Sequence, residues 1–309
     1  MKLCKPSYEI WKQSSGLEGI YKQIEKAGRV CYKSEDKITE DSAKPFIDNV
    51  LLKRHHHSPL EHGTVYLQIH WNNDNREEFD HIYCDYASNP YSRVTRKVQE
   101  DDLCPTLYVT TNYRTLIEHN WLNDLKYLCK PTEYHEKRVT VKFILSRSIA
   151  QEYTRHRVFS FAMESQRYCA YNRNKFGNEV TFIKPYWLNI PDGRYTNTAK
   201  QSPEDGEYKQ IMLHENNINT YPLTTTPEGR FLWNCYLSEH NYFYLINQGW
   251  KPQQAREVLP NACKTELIMT GFVSDWKNFF DLRCAPSAHP QARELAIPLE
   301  EEFKSLNLI

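Results

Sequence analysis

Strand-period alternation in "RVTVKFIL" limits what this chain can fold into more than any other feature. Val139, Val141 and Phe143 fall on every second position, so one face of an extended segment is apolar and has to be covered. Val65, Leu67 and Ile69 alternate with Tyr66, Gln68 and His70 in the same way, which predicts a second half-buried strand. Helical spacing occupies 17–28 and 41–54. Strands and helices in one chain point to an α+β (mixed α/β) fold, an antiparallel or mixed sheet flanked by helices.

Other elements follow from local signals. The segment from Ser146 to about Thr154 reads as a short helix, which places Arg155, His156 and Arg157 at its C-terminal end. Cations there face the negative end of the helix dipole, a gain of about 0.3–1 kcal/mol each when exposed. Thr226 as N-cap and Pro227 at the first helical position open a long helix that Gly249 closes. "TELIMTGFV" reads as a strand or a buried helix, and periodicity does not arbitrate. "SDWKNFFDLR" predicts a helix capped by Ser274, carrying Asn278 and ending at Arg283, and 289–306 predicts an amphipathic helix. The stretch 72–137 is polar and aromatic, with a short strand expected near 106–111 and small helices after it. The stretch 172–225 holds several Pro and Asn residues and reads as surface excursions. No repeat, low-complexity tract or Gly/Ser linker divides the chain, so 1–309 is expected to be a single domain.

At 309 residues the chain is ample for a real core. Lys and Arg together number 39, as do Asp and Glu. That balance argues against a broad polyanion-binding surface, so any basic site must be local. Neither GxGxxG nor GxxxxGK[ST] occurs, so no dinucleotide-binding turn or P-loop is signalled. Nine cysteines are scattered without a CxxC pair, the pattern of reduced thiols rather than of a disulfide framework or zinc site. The start lacks the apolar run of a signal peptide and no stretch approaches a membrane span. A soluble, cytoplasmic protein with no membrane association is expected.

Against this neutral background, "TRHRVFSFAMESQRY" at 154–168 gathers Arg155, His156 and Arg157 ahead of Ser165, Gln166 and Arg167. The planar fork of arginine suits bidentate binding of phosphate or of a carbonyl–imide edge, and it stays charged at any working pH. Ser165 and Arg167 are two apart, so an extended segment would point both to one side as a small phosphate cradle. An isolated Arg-His-Arg is more often a solvated helix end followed by an edge strand.

The whole string carries more. "RHRVFSFAMES" resembles the arginine–histidine–arginine, seven residues, serine signature of the flavin-dependent thymidylate synthases, and "QRY" continues it as that family does. "HHHSPLEHG" at 55–63 is similar to the family's upstream His-x-Ser/Thr-Pro-hydrophobic-Glu-His segment. "QQAREVLP" at 253–260 resembles its helix ending in Ala-Arg-x-x-Leu-Pro, and "WKNFFDLR" at 276–283, followed by "AHPQARELA", supplies a fourth block. All four stand in the family's order and cover about half the chain. The stretches 72–137 and 172–225 are long insertions relative to compact members.

The resemblance implies a homotetramer with FAD-filled sites shared between subunits. It implies conversion of dUMP to dTMP, with methylenetetrahydrofolate giving the carbon and NAD(P)H reducing the flavin. Carried over residue by residue, it places His56, Ser58, Glu61, Arg155, His156, Arg157 and Asn278 near FAD. Glu152, Arg155, Ser165, Gln166, Arg167 and Arg256 are placed around dUMP, Arg167 and Arg256 toward its phosphate. Arg283 matches the arginine credited with helping ionise uracil N3, a role in which a fixed cation stabilises charge spreading over the pyrimidine. Some members have Asn-Glu before the hydrophobic residue and serine of the motif. Here Ala162-Met163-Glu164-Ser165 stands instead, which makes Glu164 the candidate carboxylate toward the flavin. Others carry Gln where Glu152 stands, and an Asn-x-Arg flavin contact where this chain has Phe272-Val273-Ser274.

Rival chemistries fit less well. His55, His56, His57 and His62 beside Glu61 suggest a metal, but no HExxH occurs and a proline between the histidines breaks a helical ligand face, so none is expected. Ser165 lacks the elbow of a serine nucleophile. Cysteine addition to uracil usually places the cysteine after proline, and no Pro-Cys pair exists. A single-stranded nucleic-acid platform of basic and aromatic residues is the alternative from another class. Zero net charge and the lack of an RRM- or KH-like signature speak against it, so no nucleic-acid partner is expected.

Overall fold

The two alternating segments lie in separate sheets of the computed structural model, which describes residues 1–99, 102–172, 177–201, 208–216, 220–222 and 226–309. With strands and helices numbered in chain order, "RVTVKFIL" is β6 (Arg138–Ser146), inside a four-stranded sheet. Its neighbours are β2 (Ser7–Trp11) on one side and β12 (Lys264–Phe272) on the other, with β7 (Ser160–Met163) beyond β12, every pair antiparallel. Val139, Val141, Phe143, Leu267 and Met269 share one face. That face is closed by α5 (Arg147–Tyr153), α8 (Val273–Arg283) and α9 (Pro290–Ser305). On the opposite face Ile268 and Ala162 pack under Ala27 and Val30 of α1 (Gly16–Tyr32). Burial on both faces explains why "TELIMTGFV" is a continuous apolar run, and the structure resolves it as strand.

"VYLQIH" is β3 (Thr64–His70), which pairs with β5 (Asp102–Asn112); β4 (Arg93–Gln99) flanks β5 on its other side. The expected short strand near 106–111 is therefore the C-terminal part of a longer one. The same stretch forms α3 (Arg76–Ser88) and α4 (Tyr113–Glu118), and Phe79, Ile82 and Leu116 share a core with Ile20 and Ile24 of α1. The helical spacing at 41–54 becomes α2 (Ala43–Phe46) running on into a π-helical turn, Ile47–Leu52.

The expectation of surface excursions at 172–225 is overturned where the structure describes that stretch. It forms β8 (Thr181–Ile183), β9 (Gly193–Gln201), β10 (Tyr208–His214) and β11 (Thr220–Pro222), which join β1 (Lys2–Cys4) in a five-stranded sheet. Tyr195, Met212 and Phe182 are buried under α6 (Pro227–Asn247). The opposite face of β9 is polar, and that composition hid the strand. Thr226 does cap α6, its hydroxyl accepting from Gly229 N–H at 3.0 Å, and Gly249 follows the helix at φ +90°. A short α7 (Pro252–Ala255) then leads through a 3-10 turn to β12.

Ser274 is not the cap of the "SDWKNFFDLR" helix. Phe272 is, and its backbone N–H is received by Asp275 at 3.1 Å, while the Ser274 hydroxyl donates to Glu136. Gly271, just before, is required by close packing: a Cβ there would stand 2.5 Å from the Phe159 ring. That contact seats the loop after α5 against β12.

Candidate functional site

Strand β6 runs directly into α5, whose first turn is capped by Ser146, with the Ile149 N–H reaching its hydroxyl at 3.4 Å. The helix stops after two turns, and the Arg155–Phe159 turn leads into β7. Arg283, at the last residue of α8, crosses onto this helix end. Its Nη2 donates to the Glu152 carbonyl at 2.7 Å, its Nη1 to the Glu152 carboxylate at 3.1 Å, and its Nε to His156 Nε2 at 2.9 Å. His156 must offer a lone pair at Nε2 to receive that bond, so it is a neutral ring carrying its proton on Nδ1. Burial, then the Arg283 charge, lower its pKa from 6.5 to about 4. Three of the carried-over residues thus form one tied cluster. Arg155 and Arg157 beside it are exposed and have no ion pair among the described residues.

A second group lines an open cleft of about 430 Å³, in which Ser165 and Arg167 face His56 and Ser58. Ser165 and Arg167 are not in extended backbone as expected. They sit in a turn closed by the Tyr168 and Cys169 N–H groups on the Ser165 carbonyl, at 3.2 and 3.0 Å. The Arg167 N–H also donates to the Ser165 hydroxyl at 3.3 Å. Arg167 lies exposed, 5.6 Å over the Tyr168 ring. His56 bonds to the Tyr32 hydroxyl, and the His56, Tyr32 and Tyr168 rings follow one another along the wall. The Gln166 side chain turns away from the cleft. It is buried, its amide donating to the Tyr171 hydroxyl at 3.3 Å and the Cys263 sulfur at 3.6 Å, because the turn alternates side chains between solvent and core.

Glu61 and Arg157 share a smaller cavity of about 200 Å³. Arg114 of α4 binds Glu61 at 2.6 Å, and Arg138 donates to the Glu61 carbonyl at 3.0 Å and the Ser160 hydroxyl at 3.1 Å. His62, next to Glu61, is fully buried and bonds to Thr270 at 2.8 Å. Burial, then Arg138, push its pKa down to about 3, so it is a neutral core histidine, bonded at Nδ1 and with no partner at Nε2 among the described residues.

Glu164 is not in either cleft. It is buried on the other side of the motif, where Lys264 holds it at 2.9 Å. Lys264 also binds Glu266 at 2.7 Å, and Glu266 takes in Lys33 and, at 2.8 Å, Lys142. Burial alone would lower the Lys264 pKa, but Glu164 and Glu266 together raise it. Burial would likewise raise Glu266, and Lys264 and Lys33 outweigh it, holding the carboxyl well below its usual range. Arg256 stands apart in the turn after α7, 3.5 Å from Glu257, and Asn278 is exposed on α8.

Sequence reasoning missed Tyr32, Arg138, Arg114 and the lysines around Glu266. Arg138 opens the "RVTVKFIL" strand, and a charge at the mouth of a buried strand was the available signal. Nothing local marks the others, which matter through partners far away in the chain. Among the described residues no cluster of His, Cys, Asp and Glu could hold a metal, and no helix is long and apolar enough to cross a membrane.

A family model described as thymidylate synthase complementing protein matches residues 17–73 and 133–306, well over half the chain. A flavin-dependent thymidylate synthase from Corynebacterium efficiens is 27% identical over 166 residues, 52% of this chain and 54% of that protein. One of the same description from Pyrococcus furiosus is 27% identical over 158 residues, 51% of this chain and 50% of the relative. The chain thus spans about half the length of the curated relatives it matches. A solved UMP/dUMP methylase, PolB from Streptomyces cacaoi bound with 5-Br dUMP, aligns over 99% of this chain and 93% of its own. Its sequence identity is 15% and its TM-score 0.41.

Proposed function

Since the chain belongs to the thymidylate synthase complementing protein family, we propose that it is a flavin-dependent thymidylate synthase. In this reading it converts dUMP to dTMP, with methylenetetrahydrofolate as carbon donor, FAD as cofactor and NAD(P)H as reductant. The observation that carries the reading is the convergence on Arg283. A guanidinium from the last block is fixed by Glu152 and a neutral His156 from the motif, 131 and 127 residues earlier.

Such a preorganised cation can stabilise negative charge developing on a pyrimidine without reorganising during the reaction. Glu152 holds its orientation. His156, uncharged, does so without competing for an anion. Ser165 and Arg167 offer to a phosphate a hydroxyl and a fork without an ion pair among the described residues, with Arg256 brought in as the sites assemble. The residues also fit FAD. Its diphosphate needs cations not already neutralised, and Arg155 and Arg157 are exposed without an ion pair among the described residues. His56, Ser58, Glu61 and Asn278 would add contacts around it, while Glu164 supports the motif from behind through Lys264. Bound flavin would supply the reducing hydride.

The site residues fall into separate open groups in one chain, which supports a homotetramer with shared sites. One domain, with 72–137 and 172–225 as additions to a compact plan, and a cytoplasmic location complete the reading. Tritium release from 5-³H-dUMP tests it. Release is expected only with FAD, NADPH and methylenetetrahydrofolate together, and folded, flavin-loaded protein that releases none overturns it.

A further inference from the structure

The family match passes over residues 74–132, yet that stretch supplies side chains to both clefts. Arg114 lines the cleft of Ser165 and Arg167. Tyr91, Arg93 and Asn112 line the smaller cavity with Arg157. Arg93 is held in place there. Its guanidinium lies 4.5 Å over the Phe272 ring and donates to the Pro90 and Ser92 carbonyls at 3.2 and 2.9 Å. Its nearest carboxylate, Glu136, is 3.6 Å away, so the charge is only loosely matched. Arg138, in the same cavity, spends its hydrogen bonds on neutral oxygens, and Arg157 has no ion pair among the described residues. Against these guanidiniums stand Glu61, already bound by Arg114, and Asp275, occupied in capping α8. The cavity keeps a surplus of positive charge between aromatic rings, an environment suited to an anionic group on a flat aromatic body.

We propose that the segment outside the family match forms a wall of the flavin site, with Arg93 beside Arg157 as a contact for the cofactor's diphosphate. This rests on the flavin reading above. It makes cofactor affinity depend on a residue that compact relatives need not have.

Flavin-stripped full-length protein titrated with FAD and with riboflavin, followed by flavin fluorescence, is the test. Arg93→Gln should weaken FAD roughly ten- to a hundredfold, the worth of one charge-assisted hydrogen bond, and leave riboflavin within about twofold. Arg93→Lys keeps the cation over Phe272, guards against a folding defect and should recover part of the loss. Unchanged FAD affinity in Arg93→Gln overturns the proposal. Equal weakening of FAD and riboflavin also overturns it, because the effect then comes from the shape of the cavity rather than its charge. Wild-type protein that binds no FAD removes the functional reading and this proposal together. Wild-type binding with an unaffected Arg93→Gln removes the proposal alone.

Discussion

Arg283 and Arg167 serve neighbouring parts of one motif, and the fold treats them in opposite ways. Arg283 is largely withdrawn from water, with its Nε and both Nη atoms engaged by Glu152 and His156. Arg167 rests on a tyrosine ring at the rim of an open cleft. Geometry fixed before a ligand arrives is worth most where charge changes during a reaction, while a free fork is worth most where charge is constant and must only be caught. The first region reads as a device for rate and the second as a device for affinity.

The comparison breaks most easily at Arg283. Arg283→Ala should lower turnover roughly a hundred- to a thousandfold, about 2.7–4 kcal/mol, with a modest change in dUMP affinity. Lysine at 283 should rescue poorly, since a point charge cannot reach Glu152 and His156 together. Tritium release alongside dUMP titration by flavin absorbance separates the two quantities, and normal turnover in Arg283→Ala would remove the assignment.

The dryness of the first region has its own signature in pH. His156 has a folded pKa of about 4 against 6.5, so the unfolded chain takes up the proton first. The stability this neutral ring contributes is complete above about pH 6.5 and is lost as pH falls toward 4, on the order of 3 kcal/mol in all. Urea unfolding at several pH values should show His156→Gln with a shallower acid slope than wild type. An identical slope would mean that the ring is not held neutral.

Arg167→Ala should act on binding, weakening dUMP roughly tenfold or more while turnover at saturation and melting temperature stay near wild type. A fall in turnover with affinity intact would merge the two regions into one. The smallest effects are expected at the thiols. Burial pushes Cys31, which lines the open cleft, and Cys263 each up to about 11. Such thiols stay protonated at neutral pH and are poor nucleophiles. Single Cys→Ser variants at all nine positions should keep turnover within a few-fold, and a loss of about a thousandfold at one of them, with folding intact, would revive cysteine addition to the pyrimidine.

What was legible in the sequence is what depends on near neighbours. The β3 and β6 alternations, the Thr226 cap, the short helix from Ser146 and the helix ending at Arg283 are each written in a few consecutive residues. Fold class and the identity of the motif residues followed from them. The sheet from 172–225 was not legible, because β9 buries Tyr195 amid polar residues and its partner, β1, lies at the other end of the chain. Ser274 looked like a cap because serine is a good one; Asp275 won the position with a longer reach to the Phe272 N–H. Gln166 and Glu164 carried the motif's polarity but face the interior, which only the turn at Ser165 reveals.

The lysines gathered on Glu266 have a consequence for how the chain reaches this state. A one-residue slip of β12 would exchange its two faces, expelling Leu267 and Met269 from the core and driving a carboxylate into it without partners. Only one alignment lets Lys33, Lys142 and Lys264 all reach the same carboxylate, and Lys33 lies 233 residues earlier in the chain. Pairing across such a distance costs chain entropy before any contact rewards it. Misaligned intermediates should therefore be rejected by charge, and the place of Arg283 against Glu152 should be set only in the last and slowest step of refolding.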